Sequence, residues 1–131
     1  YKLELEHTFI ITHESRNFQN SIIVELQQEG FSGFGEAAAT AYYGQTMEGM
    51  IEKLESLREI IESSTIETPE SFWEDMSKHM EGHPFELCAL DFAAHDLYGQ
   101  IQGKPTYKIW GLSTDKIPAS NFTIGITILH Q

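Results

Sequence analysis

The sequence predicts an α+β fold, in which a three-stranded antiparallel meander is followed by a layer of three helices and then by the first strand of a further unit. Three observations predict this order. Short apolar or alternating runs occupy residues 2–37, and apolar residues recur at spacings of three and four between residues 46 and 102. A Gly-Lys-Pro turn then precedes residues 121–129, whose Phe, Thr and Ile content is typical of a β-strand.

The three strands of the meander are predicted near the N-terminus. Residues 2–12 alternate and then become continuously apolar, residues 21–27 are rich in β-branched side chains, and residues 31–37 follow a turn at residues 28–30. A polar stretch without periodicity, residues 13–20, separates the first two strands and is predicted to be a loop. Consecutive strands with links of this length indicate antiparallel pairing.

Start and stop signals predict the helices. Thr46 is a candidate N-cap for a helix that reaches residue 62, and Thr68 with Pro69 marks the start of the next helix, which is expected to include Met80. The third helix is expected to end before Gly103. Its apolar residues form one continuous face, made of Leu87, Leu90, Ala94, Leu97 and Ile101.

The charge of the chain argues against several kinds of partner. The chain has 131 residues and a formal charge of −12, from 8 Lys and Arg against 20 Asp and Glu. A surface of this sign repels phosphate backbones and anionic lipid, so no nucleic-acid or membrane partner is expected. Cys88 is the one cysteine, which suits a reducing compartment and a packing role on the third helix. With no secretory signal in the sequence, a cytoplasmic location is expected.

Residues 33–38, Gly-Phe-Gly-Glu-Ala-Ala, match the dinucleotide fingerprint G-x-G-x-x-A only superficially. That fingerprint needs a parallel βαβ unit that opens directly into a helix, whereas these glycines end a hairpin strand. Glu36 would also set a carboxylate against a pyrophosphate. The glycines are therefore interpreted as positions where another backbone or a ligand approaches closely.

Two polar segments are candidates for ligand binding. The predicted loop at residues 13–20 contains Arg16 and an aromatic residue, Phe18, that a purely solvated loop would not need. The second segment, Ala-Tyr-Tyr-Gly-Gln at residues 41–45, sets two tyrosines beside a flexible glycine, and Tyr43 either closes over a small molecule or packs on the surface of its own domain.

Two pairs of side chains have the i, i+4 spacing of metal ligands on a helix: His79 with His83, and Asp91 with His95. Neither pair has an evident third ligand at a useful spacing, so hydrogen bonds at a helix end or between domains are the favoured interpretation. Asp91 and His95 also belong to a polar stripe on the third helix that is expected to face a partner domain.

Four segments carry a resemblance to a known family: GFGEAAA, YYGQT, ALDFAAHDLYGQIQGKPTYKIWG and NFTIGI. Together they resemble the N-terminal part of the enolase superfamily, in its muconate-lactonizing branch, and most of all the dipeptide epimerases of the L-Ala-D/L-Glu type. The resemblance implies that residues 1–116 form an N-terminal capping domain and that residues 117–131 begin a TIM-type barrel.

The resemblance also implies a chemistry. Two lysines on opposite faces of the substrate remove and return the proton α to a carboxylate, and Mg²⁺ stabilises the enediolate between these steps. The lysines and the three acidic Mg²⁺ ligands lie on later barrel strands, beyond residue 131, so no catalytic and no metal-binding residue is assigned to this chain. Substrate contacts are implied for Thr123, on the first barrel strand, and for the two polar segments that contain Arg16, Phe18 and Tyr43.

The substrate class stays open within the resemblance. Enzymes of this group that act on acidic dipeptides use an arginine at the position where this chain has Glu14, and Arg16 follows two residues later. A hydrophobic or cationic dipeptide is therefore as compatible as an acidic one. An o-succinylbenzoate synthase, a cycloisomerase and a non-enzymatic acidic interaction module are the alternatives, and a homo-oligomer of the full-length enzyme is also open.

Overall fold

The computed structural model describes residues 1–11 and 14–121, and within them it contains a three-stranded antiparallel sheet. Strand β1 spans Lys2–Ile11, β2 spans Glu14–Gln28 and β3 spans Phe31–Ala38. The strands lie in the order β1-β2-β3. The predicted meander is therefore confirmed. The predicted strand at residues 121–129 falls outside the described residues from residue 122 onward, and the division into two domains stays a prediction.

The second strand is about twice as long as predicted, and the predicted loop at residues 13–20 is wrong from Glu14 onward. The first half of β2 pairs with β1, from Lys2 opposite Asn20 to Ile11 opposite Glu14, and the second half pairs with β3. Pairing with β1 supplies the backbone hydrogen bonds, so this polar stretch forms a strand without an apolar alternation of its own.

A two-residue turn joins β2 to β3. Glu29 and Gly30 both have positive φ, 55° and 82°, which is the backbone of a type I′ hairpin turn. The ladder runs without interruption from Gln28 opposite Phe31 to Ser21 opposite Ala38. In contrast, the β1–β2 ladder shifts register between Glu4 and Phe9.

The first predicted helix is two helices in the structure, α1 at Met47–Ser56 and α2 at Arg58–Ser63. Thr46 is the N-cap, as predicted, and its hydroxyl accepts a bond of 3.1 Å from the amide of Gly49. The hydroxyl of Ser56 donates to the carbonyl oxygen of Lys53 at 2.7 Å, and such side-chain bonds compete with the helical ladder. Beyond the break, Arg58 is bonded to Glu55 and Glu62, which lowers the pKa of Glu55 and raises that of Arg58.

The next two helices begin where the sequence predicts. Helix α3 spans Pro69–Ser77, with Thr68 as its N-cap, and Met80 lies after its last turn, where it is still buried. Helix α4 spans Pro84–Gln102 and ends at Gly103, whose φ is 60°. Two short elements not predicted from the sequence follow: helix α5 at Thr106–Ile109 and a 3₁₀ turn at Thr114–Lys116.

The core lies between one face of the sheet and the helices. Leu90 and Leu97 of α4 are almost fully buried there, as the predicted apolar face requires, whereas Cys88 is exposed and its predicted packing role is wrong. Cys88 is exposed because it lies on the face of α4 opposite the residues that pack on the sheet. The buried members of the main cluster are Leu26, Leu57, Ile66, Phe72, Met76, Met80, Leu90, Ala93, Ala94 and Leu97.

Helix α4 packs directly on the backbone of β3. A Cβ atom added to Gly33 would lie 2.2 Å from the amide nitrogen of Leu97, and one added to Gly35 would lie 1.9 Å from the carbonyl oxygen of Ala89. Both positions therefore require glycine, because the backbone of α4 occupies the space that a side chain on β3 would fill. The interpretation of this Gly-x-Gly pair as a site of close backbone approach is confirmed, and Ala89 and Ala93 complete the contact from the helix side with 0% exposure.

We predict that Gly35→Ala destabilises the chain by about 3 kcal/mol, because the added methyl group must push α4 away from β3. The free energy of unfolding, measured by urea denaturation, checks this. The control is Glu36→Ala, at an exposed neighbouring position on the same strand, which is expected to change stability by about 0.5 kcal/mol or less. Equal stability of the two variants would contradict the close packing.

Candidate functional site

Strand β2 carries Arg16 and Phe18, which the sequence placed in a loop. The Arg16 guanidinium donates from Nη1 to Oε1 of Gln19 and lies 5.6 Å from the ring centroid of Phe9, within the range of a cation–π contact. The ring of Phe18 is 38% exposed and lies 4.4 Å from Nζ of Lys2. Both candidates are thus held by contacts across the β1–β2 ladder, and a sheet positions them more rigidly than a loop would.

The second candidate segment is a closed loop, residues 40–45, called here the tyrosine loop. Its ends are joined by two backbone bonds between Thr40 and Gln45, at 3.1 and 2.9 Å, and Gly44 turns the chain with a φ of 69°. Between them Tyr42 and Tyr43 lie on a single 3₁₀ turn. The backbone of this loop is therefore fixed at its root while its tip extends into solvent.

Tyr43 packs on the surface of its own domain, which is one of the two roles that the sequence left open, and its contact with a ligand stays a prediction. Its ring lies 5.8 Å from that of Phe85, on the first turn of α4, and 4.8 Å from that of Tyr42 in an edge-on arrangement. Yet Tyr42 and Tyr43 remain 75% and 65% exposed. Tyr43 packs on its own domain along one edge and presents the rest of its surface outward, as expected of an aromatic side chain that contacts a ligand.

Gln19 is a residue of this region that sequence reasoning missed. Its Nε2 donates to the carbonyl oxygens of Asn20 and Ala39, at 2.7 and 2.8 Å, and its Oε1 accepts from Arg16. Ala39 directly precedes the tyrosine loop, so Gln19, which lies in the first candidate segment, is bonded to the residue next to the second. No sequence signal marks it, because its partners are set by a strand pairing 20 residues apart.

The fourth candidate, Thr123, lies outside the described residues. Its predicted contact with substrate stays a prediction.

Of the two i, i+4 pairs considered as metal ligands, one contacts a residue outside the pair and the other makes its contact within the pair. His83 Nδ1 lies 3.0 Å from Oε1 of Glu86, which is 1% exposed, and His95 Nε2 lies 3.7 Å from Oδ1 of Asp91. Within residues 1–11 and 14–121, no three His, Cys, Asp or Glu side chains are gathered so as to hold a metal ion. The described part of the chain therefore does not fit a divalent cation.

The polar stripe of α4 faces a groove of about 690 Å³ between β3, α4 and α5. Apolar side chains line much of it, and Phe34, Phe92 and Trp110 are each more than half exposed. Asp96 closes one side by accepting a bond of 2.9 Å from the backbone amide of Phe34, an outward-facing group of the edge strand. The expected contact of this stripe with a partner domain stays a prediction.

We predict that Asp96→Leu destabilises the chain by about 1 kcal/mol and speeds hydrogen exchange at the Phe34 amide, because that amide loses its acceptor. Asp96→Asn keeps a carbonyl oxygen at the same place and serves as the matched control, with a smaller change in both measurements. Unchanged exchange at Phe34 in the leucine variant would show that the bond does not protect the strand edge.

A three-stranded meander followed by a long helix packed on its glycines is the arrangement expected of an enolase-type N-terminal capping domain. The chain belongs to the mandelate racemase / muconate lactonizing enzyme family, whose N-terminal domain matches residues 3–111. Among the described residues, no helix is both long and apolar enough to cross a membrane.

Known relatives are similar over nearly the whole chain. An L-Ala-D/L-amino acid epimerase of Flavobacterium johnsoniae is 48% identical over 131 residues, which are all of this chain and 39% of that protein. An L-Ala-D/L-Glu epimerase of Bacteroides thetaiotaomicron is 36% identical over 96% of this chain and 33% of its own length. The chain thus spans about two fifths or less of the length of these curated relatives.

A solved structure agrees with the fold. The dipeptide epimerase of Methylococcus capsulatus, in complex with Mg and the dipeptide L-Arg-D-Lys, superposes with a TM-score of 0.83 at 28% identity. The match covers 97% of this chain and 36% of that one. The predicted capping-domain fold is confirmed by this match.

Proposed function

We propose that the complete protein carrying this chain is a dipeptide epimerase and that this chain is its capping domain. The observation that carries the proposal is the identity of 48% over all 131 residues to a protein named an L-Ala-D/L-amino acid epimerase. The TM-score of 0.83 to a dipeptide epimerase in complex with a dipeptide adds to it. The substrate of this chain's protein is, on this proposal, a dipeptide whose α-carbon exchanges its proton.

In this proposal the capping domain binds and encloses the substrate and takes no part in the proton transfer. Arg16 supplies a fixed positive charge, while Phe18 and the tyrosine loop supply exposed aromatic surface. Thr123 adds a hydroxyl contact. Such elements raise the occupancy of the productive geometry by orienting the substrate and excluding water.

A Mg²⁺ ion is expected in the complete enzyme because the solved dipeptide epimerase contains one. The described residues of this chain do not fit that ion, so its ligands are proposed to lie elsewhere in the enzyme. A cytoplasmic location and assembly into a homo-oligomer stay predictions of the sequence.

Proton exchange in D₂O tests the activity. The complete protein is incubated with a panel of L,L-dipeptides that have acidic, apolar and basic second residues, and ¹H NMR follows the α-proton signal. We expect the signal of at least one dipeptide to disappear as the epimer forms, because the proton returned comes from solvent. If no dipeptide in the panel exchanges while the protein is folded, the proposal is wrong.

A substitution tests whether the proposed first barrel strand contacts the substrate. Thr123→Ala is expected to lower kcat/KM by about tenfold, because one hydrogen bond to the substrate is lost. The matched control is Thr65→Ala, at an exposed position between α2 and α3, which is expected to leave kcat/KM unchanged. An unchanged kcat/KM in the Thr123 variant would remove this residue from the site.

A further inference from the structure

The side-chain amide of Gln19 makes three hydrogen bonds, which use both of its donors and one of the two lone pairs on its oxygen. Both N–H donors of Nε2 point to backbone carbonyls, of Asn20 and Ala39, and Oε1 accepts from the guanidinium of Arg16. If the amide were rotated by 180°, its NH₂ group would face the guanidinium and its oxygen would face two carbonyls. The amide is therefore held in one orientation by charge complementarity at both ends.

The bond between Arg16 and Gln19 lies beside an irregular part of the sheet. Residues three apart on a regular strand point to opposite faces, so Arg16 and Gln19 would not meet. Opposite them, β1 shifts its register between Glu4 and Phe9, so that this part of β1 has more residues than the facing part of β2. The two side chains therefore meet where the pairing of β1 with β2 is irregular, and not along a regular ladder.

The other end of the connection reaches the tyrosine loop. Gln19 bonds to the carbonyl of Ala39, and the next residue, Thr40, closes the loop against Gln45 with two backbone bonds. Tyr43, inside the loop, rests on Phe85 of α4. A continuous set of contacts thus runs from Arg16 through Gln19 to the loop that presents Tyr43.

We propose that Gln19 is a positioning residue that fixes Arg16 relative to the tyrosine loop, so that the two segments present one preformed surface to the substrate. The proposal rests on the proposed function, because it assigns these segments to substrate binding. Gln19 itself does not touch the substrate. It raises substrate affinity, because the two segments are already ordered before the substrate binds and no entropy is lost in ordering them at that step.

Three substitutions at Gln19 distinguish its bond with Arg16 from its bonds to the carbonyls of Asn20 and Ala39. Gln19→Met removes both ends at nearly constant length. Gln19→Glu keeps an acceptor for Arg16 but turns a carboxylate oxygen toward the carbonyls of Asn20 and Ala39. Gln19→Lys keeps a donor for those carbonyls but sets an ammonium group against the guanidinium.

In the complete protein we expect Gln19→Met to raise KM about fivefold or more, with kcat within about twofold. Gln19→Glu and Gln19→Lys are each expected to raise KM as well, because each breaks one end. The matched control is Gln27→Met, on the same strand, where the exposed glutamine donates to Oε1 of Glu25 at 2.9 Å. KM of the control is expected to be unchanged.

A measurement independent of activity accompanies the kinetics. Deuterium uptake of the backbone at residues 40–45 is expected to rise in Gln19→Met and Gln19→Glu and to stay at the wild-type level in Gln27→Met, because only the first two release the carbonyl of Ala39. If the complete protein acts on no dipeptide, the proposed function fails, and this uptake still decides whether Gln19 holds the loop.

Any of three results would overturn the proposal: an unchanged KM in Gln19→Met, a loss that falls mainly on kcat, or uptake at residues 40–45 that does not change. An equal rise of KM in Gln27→Met would overturn it too, because the effect would then not be specific to the connection through Gln19.

Discussion

The close contact between α4 and β3 determines the arrangement of the rest of the structure. Two glycines on one face of β3 allow the helix backbone to approach to a distance at which no side chain fits, and Ala89 and Ala93 keep the facing surface of the helix equally flat. Dense packing of this kind resists any displacement of the helix.

The position of α4 in turn determines the geometry of the candidate site. The first turn of the helix carries Phe85, on which Tyr43 rests. Asp96, less than one turn after Ala93 at the middle of the glycine contact, accepts a bond from the outward amide of β3. The tyrosine loop thus packs on the helix through Phe85, and Gln19 bonds to Ala39 at the residue just before the loop. The same scaffold therefore supports the fold and the surface proposed to contact the substrate.

The sequence predicted most of the architecture because its signals were local. The N-cap at Thr68 with Pro69, the glycine at the end of α4 and the apolar periodicity of that helix each depend on residues within a few positions. The meander and its turn at Glu29 and Gly30 were predicted for the same reason.

The parts that the sequence did not predict depend on distant partners. The polar residues of the first half of β2 form a strand because β1 pairs with them, and the side-chain pattern of one strand does not contain that information. Arg16, Phe18 and Tyr43 were identified as candidates by residue type, but Gln19 was not, because its role follows from a bond to Ala39 across the sheet. The break at Leu57 was also missed, since the apolar spacing continues through it.

The central claim is that this chain is a preformed capping domain whose β2 strand and tyrosine loop contact a dipeptide. A crystal structure of the complete protein with a bound dipeptide tests it most directly. We predict side-chain atoms of Arg16 or Tyr43 within about 4 Å of the dipeptide, with α4 in the same contact with Gly33 and Gly35. A dipeptide that lies more than about 8 Å from both side chains would contradict the account, because no direct contact spans that distance.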